Sequence, residues 1–445
     1  MSETNLSKNP SDAAADGTAD GAGKDAPANG NGTGVAKGAT AALDPRLLVR
    51  EQGLAGYWTD FKRKMRTGEL GSVPVVVGLI VIWAIFQSMD SAFLSAENLS
   101  NLSVYIVGTG LISVGIVFVL LLGEIDLSVG SVSGLASAVF AVLAVNNGMN
   151  EWLALVLALL TGAAVGAFHG FFFAKIGVPA FVVTLAGLLA WNGLMLKVLG
   201  TTGTINLDSE GLVANFSNHY FNDVAVAYGT ALVAVAVFFA AQYSGARRRA
   251  AAGIPFRPMT EIVVRTAVLA VLAFGAAYML NQYRGMPLAL LLFLVVLVSM
   301  DFVVRRTSYG RKVFALGGNT EAARRAGINV EFVRITVFSI AGTMAAFGGL
   351  VIASRIMAAN QGAGSGNLLM EAIAAAVIGG TSLFGGRGSV WSALLGMLVI
   401  GSIANGMALL GIAASVQYMI TGAVLLAAVV IDSVSRRTQR SAGRT

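Results

Sequence analysis

Twelve stretches of the chain are apolar for long enough to suggest helices in a membrane, with polar runs between them. They fall near residues 73–89, 102–122, 129–146, 152–174, 180–199, 225–243, 263–282, 287–304, 334–354, 369–380, 389–410 and 415–431, and 369–380 is the shortest. The pattern predicts an all-α, polytopic transmembrane bundle of about twelve helices filling residues 71–433. Residues 1–45, rich in Ala, Gly, Asp and Asn, have no apolar period and read as a disordered cytoplasmic tail. In 46–70, Leu54, Trp58, Phe61 and Met65 recur at helical spacing among lysines and arginines. That segment reads either as an amphipathic juxtamembrane helix on the inner surface or as a solvated basic linker. Residues 434–445 read as a basic cytoplasmic tail.

One polar run is too long for a simple turn. Asp301 to Arg334 carries seven Lys or Arg between two apolar segments. Within it the spacing predicts a short helix from Asn319 to Gly327. Asn319 or Thr320 can cap it by accepting from first-turn N–H groups. Glu321 then lies at the positive end of the dipole, and Arg324 and Arg325 at the negative end. Gly327 suits the left-handed residue that ends a helix, with Ile328 beyond it. The run reads either as a docking element on the cytoplasmic face or as an ordinary basic inner loop.

Charge fixes the orientation. With the N-terminus inside, only Lys197, Arg284 and Arg355 of the 30 basic residues fall outside, and both termini are cytoplasmic. Losing one helix from the middle would put a basic loop outside, so charge supports an even count more strongly than the number twelve itself. Composition agrees: 56% of residues are hydrophobic and 12% charged, against roughly 25% charged in soluble proteins. The net charge of +7 follows from the inner loops and tails and is no nucleic-acid signature; the surrounding partner is membrane lipid. With no cysteine there is no disulfide or thiolate chemistry.

Two breaks carry the candidate chemistry. In the first, Gly123 to Gly130, Glu124 and Asp126 stand between glycines with Ser128. This reads as a break shaping a pathway, or as an interfacial turn with solvated acids. The second, Gly379 to Gly388, holds Thr381 and Ser382 and is no phosphate loop, since no Lys-Ser or Lys-Thr follows its glycines. No such loop occurs anywhere, so any ATP and Mg would be bound by a separate chain, and no cofactor is expected in this one. His169 reads as a packed histidine bonded across helices, or as a relay. Glu371, after Asn360, Gln361 and Asn367, stands near an outer mouth. Arg355 reads as a contact for an acidic patch on an outer partner, or as an interfacial anchor. No catalytic or metal-binding set emerges, so the chain is not expected to be an enzyme.

From about residue 100 to 432 the chain resembles the permease subunits of bacterial sugar importers of the ATP-binding-cassette type, the ribose, arabinose, galactose and xylose permeases. The resemblance is carried by Gly123-Glu124-Ile125-Asp126-Leu127-Ser128-Val129-Gly130, Val178-Pro179-Ala180-Phe181, Ala315-Leu316-Gly317-Gly318-Asn319, Ala326-Gly327-Ile328-Asn329-Val330, Ala372 to Leu383, and Asn405-Gly406. It implies a monosaccharide permease of the bacterial inner membrane. The implied partners are a second permease subunit in a homodimer, two cytosolic ATPase domains, and a periplasmic or lipid-anchored sugar-binding protein. It also implies that Gly317, Gly318, Asn319, Thr320, Glu321, Ala322, Arg324, Arg325, Ala326, Gly327 and Ile328 form the ATPase-coupling loop. The shorter members have about ten helices. The extra segment here, Arg247 to Val304, with a basic inner loop and two helices, resembles the D-xylose permeases. A competing reading is a secondary transporter with its own ion coupling, which would need acids near the bilayer midplane.

Overall fold

The computed structural model describes residues 73–254, 256–364 and 366–441. The expectations for 1–45, 46–70 and 442–445 lie outside them. The described chain is helical, with four strands of two or three residues. Nine of its helices are long and apolar enough to cross a membrane, and three shorter apolar helices join them. Each of the twelve apolar stretches falls on one helix.

α1 is Val73–Met89, α2 Ala96–Leu121, α3 Val129–Ala141, α4 Glu151–Phe171 and α5 Ala180–Leu199; one π turn extends α3 to Asn146 and another extends α4 to Ile176. After a short strand β1 (Thr204–Asn206) come α6 (Ala214–Asn218), β2 (Tyr220–Phe221), α7 (Val224–Ala251) and α8 (Met259–Asn281). β3 (Met286–Pro287) leads to α9 (Leu288–Arg306), α10 (Ser308–Gly318), α11 (Thr320–Arg325) and α12 (Val330–Ile356). β4 (Ala358–Asn360), α13 (Gly366–Ile378), α14 (Trp391–Leu409) and α15 (Ala414–Ser441) complete the chain. The basic tail expected from residue 434 is thus helical as far as Ser441.

An all-round apolar helix must be buried in protein or in lipid, and neighbours decide which. α2 is buried almost throughout, in the middle of the bundle against α12, α14 and α13. α7 and α8 pack mainly on each other and leave most of their apolar surface bare, as helices facing lipid do. Arg247 to Arg249 lie on the last turns of α7 and not in the inner loop expected there. α7 and α8 are clasped near that end by Glu261, which pairs with Arg257 at 3.4 Å and Arg265 at 2.9 Å while Arg257 donates to Gln242.

Small residues set the central crossings. A Cβ on Gly162 of α4 would lie 2.3 Å from the Gly342 carbonyl oxygen of α12, so only glycines permit this approach. Polar pairs hold the other face. Asn98 of α2 and Asn405 of α14 exchange amide hydrogen bonds at 2.8 and 3.0 Å, and Trp83 of α1 donates to Ser402 of α14. In lipid such bonds contribute about 0.6–2 kcal/mol each.

The polar segment 200–223 is folded back as a cap on the end away from the basic loop. β1 pairs antiparallel with β4, and β2 with β3. Ser354 of α12 accepts from the Ser217 amide and donates to the Ala214 carbonyl, both at 2.9 Å. Glu151 at the start of α4 accepts from the Leu212 amide.

Candidate functional site

The long basic run contains two helices where the sequence predicted one. Thr307, in extended conformation, stops α9, and its side chain accepts from the Gly310 amide to cap α10. α10 buries Gly310, Val313 and Leu316, three apart on one face, and exposes Arg311 and Lys312. Its amphipathic pattern is legible in the sequence, with Val313 and Leu316 three apart beside Arg311 and Lys312. Asn319 then breaks the helix and caps α11, accepting from the Ala322 amide at 2.9 Å. Thr320 donates instead to the Leu316 carbonyl. Glu321 pairs with Arg324 at 3.6 Å and Arg325 at 3.3 Å. Gly327, at φ 78°, ends the turn, and the Ile328 amide returns to the Ala323 carbonyl. Ala322 and Ala326 are exposed, whereas Ala323 is buried within the chain.

α10 ends against both glycine breaks. The Gly386 amide donates to the Leu121 carbonyl at the end of α2 (2.9 Å). A Cβ on Gly317 would fall 1.7 Å from that same oxygen and 2.8 Å from the Gly386 nitrogen. A Cβ on Gly385, whose φ is 82°, would fall 2.7 Å from the Gly317 oxygen and 2.9 Å from the Gly123 nitrogen. Arg305 at the end of α9 donates to Ser389 in the loop before α14 (2.7 Å). Three motifs far apart in sequence therefore meet, backbone against backbone, at the basic end of the bundle.

The first break runs from this junction into the bundle. Glu124 stays partly exposed; burial raises its carboxyl above the ordinary range, and Arg334 draws it part-way back. Asp126 is buried, and its Oδ1 accepts from the Ser128 amide (2.8 Å) and hydroxyl (2.6 Å). Of the two readings of this break, the turn with solvated acids fails for Asp126. Ser128 also meets His169 Nδ1 at 3.3 Å, and Trp191 of α5 donates to His169 Nε2 at 2.8 Å. An indole can only donate, so Nε2 accepts and Nδ1 carries the proton toward Ser128. His169 is thus bonded across helices, tying the start of α3 to α4 and α5. Gly130 leaves the junction altogether, since a Cβ there would lie 2.6 Å from the Gly364 oxygen, in the segment between β4 and α13. In the second break Thr381 and Ser382 are both buried, and Ser382 Oγ accepts from the Phe384 amide, shaping the turn. Arg355 is far from all of these, at the last turn of α12, with its guanidinium 4.8 Å over the Tyr105 ring.

Comparison with known proteins bears on the same stretch. The family described as branched-chain amino acid transport system / permease component matches residues 98–429. The chain belongs to this permease family. Within it the chain is similar to the xylose transport system permease protein XylH of Escherichia coli K12, 39% identical over 365 residues, covering 82% of this chain and 92% of that protein. XylH of Haemophilus influenzae is 36% identical over 377 residues, 84% of this chain and 99% of that protein. The ribose import permease RbsC of Bacillus subtilis is 30% identical over 374 residues, 84% of this chain and 96% of that protein. No solved structure matches. As a permease component the chain is a transport subunit and not an enzyme, and a multi-pass protein of the bacterial inner membrane.

Proposed function

We propose that this chain is the permease subunit of an ATP-driven importer that brings a monosaccharide into the cytoplasm, with D-xylose the first candidate and another pentose or a hexose next. The observation that carries the reading is the similarity to xylose permeases over nearly their whole length, together with the docking of the end of α10 on both breaks. The basic end faces the cytoplasm in this reading, as the positive-inside rule demands, and both termini lie there. The partners are a second copy of the chain, two cytosolic ATPase domains that hold ATP and Mg, and a periplasmic or lipid-anchored sugar-binding protein.

The mechanism follows from rigidity. α11 is short and would be marginal alone. It is capped at both ends and seated by Ala323, while Ala322 and Ala326 leave a small-residue face open to an ATPase groove. α10 carries any displacement of α11 to Gly317, and from there to Leu121 and Gly386. The residues beyond, Glu124, Asp126, Ser128, Thr381 and Ser382, shape the inner end of the path, and Gly130 lines it farther from the junction, against Gly364. Arg355 faces the opposite side, where the binding protein docks.

The test is reconstitution in proteoliposomes with the partner ATPase and binding protein. Uptake of labelled xylose that needs ATP and stops with vanadate is the expected result. Uptake by the permease alone, driven by an ion gradient, would support the secondary transporter instead.

A further inference from the structure

A second polar feature lies between α2, α12 and α13, near the end away from the basic loop and apart from the α10–α11 junction. It is a cleft of about 170 Å³. Each helix presents residues one turn apart to the same gap, Tyr105 and Thr109 from α2, Ile352 and Arg355 from α12, Leu368 and Glu371 from α13. Gly108 sets its width, because a Cβ there would lie 2.4 Å from Ile352 Cγ1, so α2 and α12 meet closely beside the opening.

The polar groups are the informative part. Glu371 stands in an apolar helix, and an acid in such a position is expensive unless something polar faces it. Arg355 lines the same cleft, yet among the described residues no hydrogen bond or ion pair holds the Glu371 carboxylate. The Arg355 guanidinium rests on the Tyr105 ring, leaving its N–H edge unspent. Two opposite charges thus line one gap without closing on each other. A carboxylate that only accepts, a guanidinium that only donates, and two hydroxyls that do both are the complement of a small polyol. The volume is below the roughly 300–1,000 Å³ of pockets for larger ligands, which suits a single small molecule.

We propose that this cleft is a transient subsite for the sugar hydroxyls, in which Glu371 and Arg355 contact the substrate as it enters the bundle from the outer side and so add selectivity beyond that of the binding protein. The inference rests on the sugar-permease reading.

The experiment uses the complete complex in proteoliposomes and two pentoses that differ at one hydroxyl. The variants are Glu371→Gln, which keeps shape and removes charge, and Thr109→Val. Co-purification with the ATPase checks assembly, and Thr109→Val carries the test should Glu371→Gln fail to assemble. Expected is a fall in uptake of about tenfold or more for Glu371→Gln, together with a change of about tenfold in the ratio of kcat/KM between the two sugars, since a site that loses a hydrogen-bonding group loses discrimination at that hydroxyl. A variant that slows both sugars equally is a packing defect and overturns the proposal, as does unchanged uptake. If the wild-type complex moves no sugar, the permease reading itself falls, and the cleft proposal with it.

Discussion

Gly317 and Gly318 are adjacent, both end α10, and differ in one respect. A Cβ on Gly318 meets nothing within 4 Å, whereas one on Gly317 falls 1.7 Å from the Leu121 oxygen. Alanine at either position gains the same helix propensity, about 1 kcal/mol, so comparing the two variants isolates the clash. Real Cβ atoms stay beyond 3.0 Å, so the two backbones must separate by about 1.3 Å, the difference between 3.0 and 1.7. Neither obstacle is a flexible side chain; one is the last carbonyl of α2 and the other the Gly386 amide bonded to it. Overpacking costs about 1–3 kcal/mol, and a weakened Gly386–Leu121 hydrogen bond adds about 1 kcal/mol. A total near 3 kcal/mol shifts the docking equilibrium of α10 by about two orders of magnitude. Hydrogen exchange of the purified permease should show faster exchange across residues 308–327 and at Gly386 in Gly317→Ala than in Gly318→Ala. ATP-dependent uptake in the reconstituted complex should fall in the first variant only. If the two variants match the wild type and each other in both measurements, α10 does not transmit through this contact.

Three further outcomes are expected. The double variant Ala322→Glu, Ala326→Glu puts two charges on the open face of α11 and should abolish co-purification with the ATPase or uncouple hydrolysis from uptake; normal assembly and uptake would remove α11 from the coupling role. Asp126→Ala strands the Ser128 amide and hydroxyl, about 1–3 kcal/mol for a buried unsatisfied group, and should impair uptake while the protein still reaches the membrane; full uptake would count against any role for the first break. Glu124 has a carboxyl raised mainly by burial, so the folded state binds its proton more tightly than the unfolded chain and this group's contribution falls as pH rises from the ordinary carboxylate range through the raised folded value. Glu124→Gln should therefore unfold at a higher temperature than wild type at pH 7 and lose that advantage in acid; an advantage that does not depend on pH would show that burial of the charge is not the cause.

The sequence by itself determined the elements. Apolar runs of bilayer length have one stable solution in lipid, because every backbone group must be bonded within its own segment. All twelve runs became helices, although the one at 369–380 is among the three too short to count as a span by length. The caps of α11 were readable for a similar reason, since Asn319 and Gly327 act on neighbours a few residues away. What acts at long range was not readable. Asp126 and Glu124 stand two apart in sequence, yet only tertiary packing buried one and left the other partly exposed. The two glycine breaks share few residues, and nothing local announced that Gly123, Gly317 and Gly385 would touch. Glycine has no side chain to signal a partner, and its use here is to let two backbones approach, which becomes visible only when both are in place. The same holds for the cleft. Arg355 and Glu371 stand out singly in the sequence, but with Tyr105 they lie on three separate helices, and the bundle alone brought a guanidinium and a carboxylate to one gap without letting them pair.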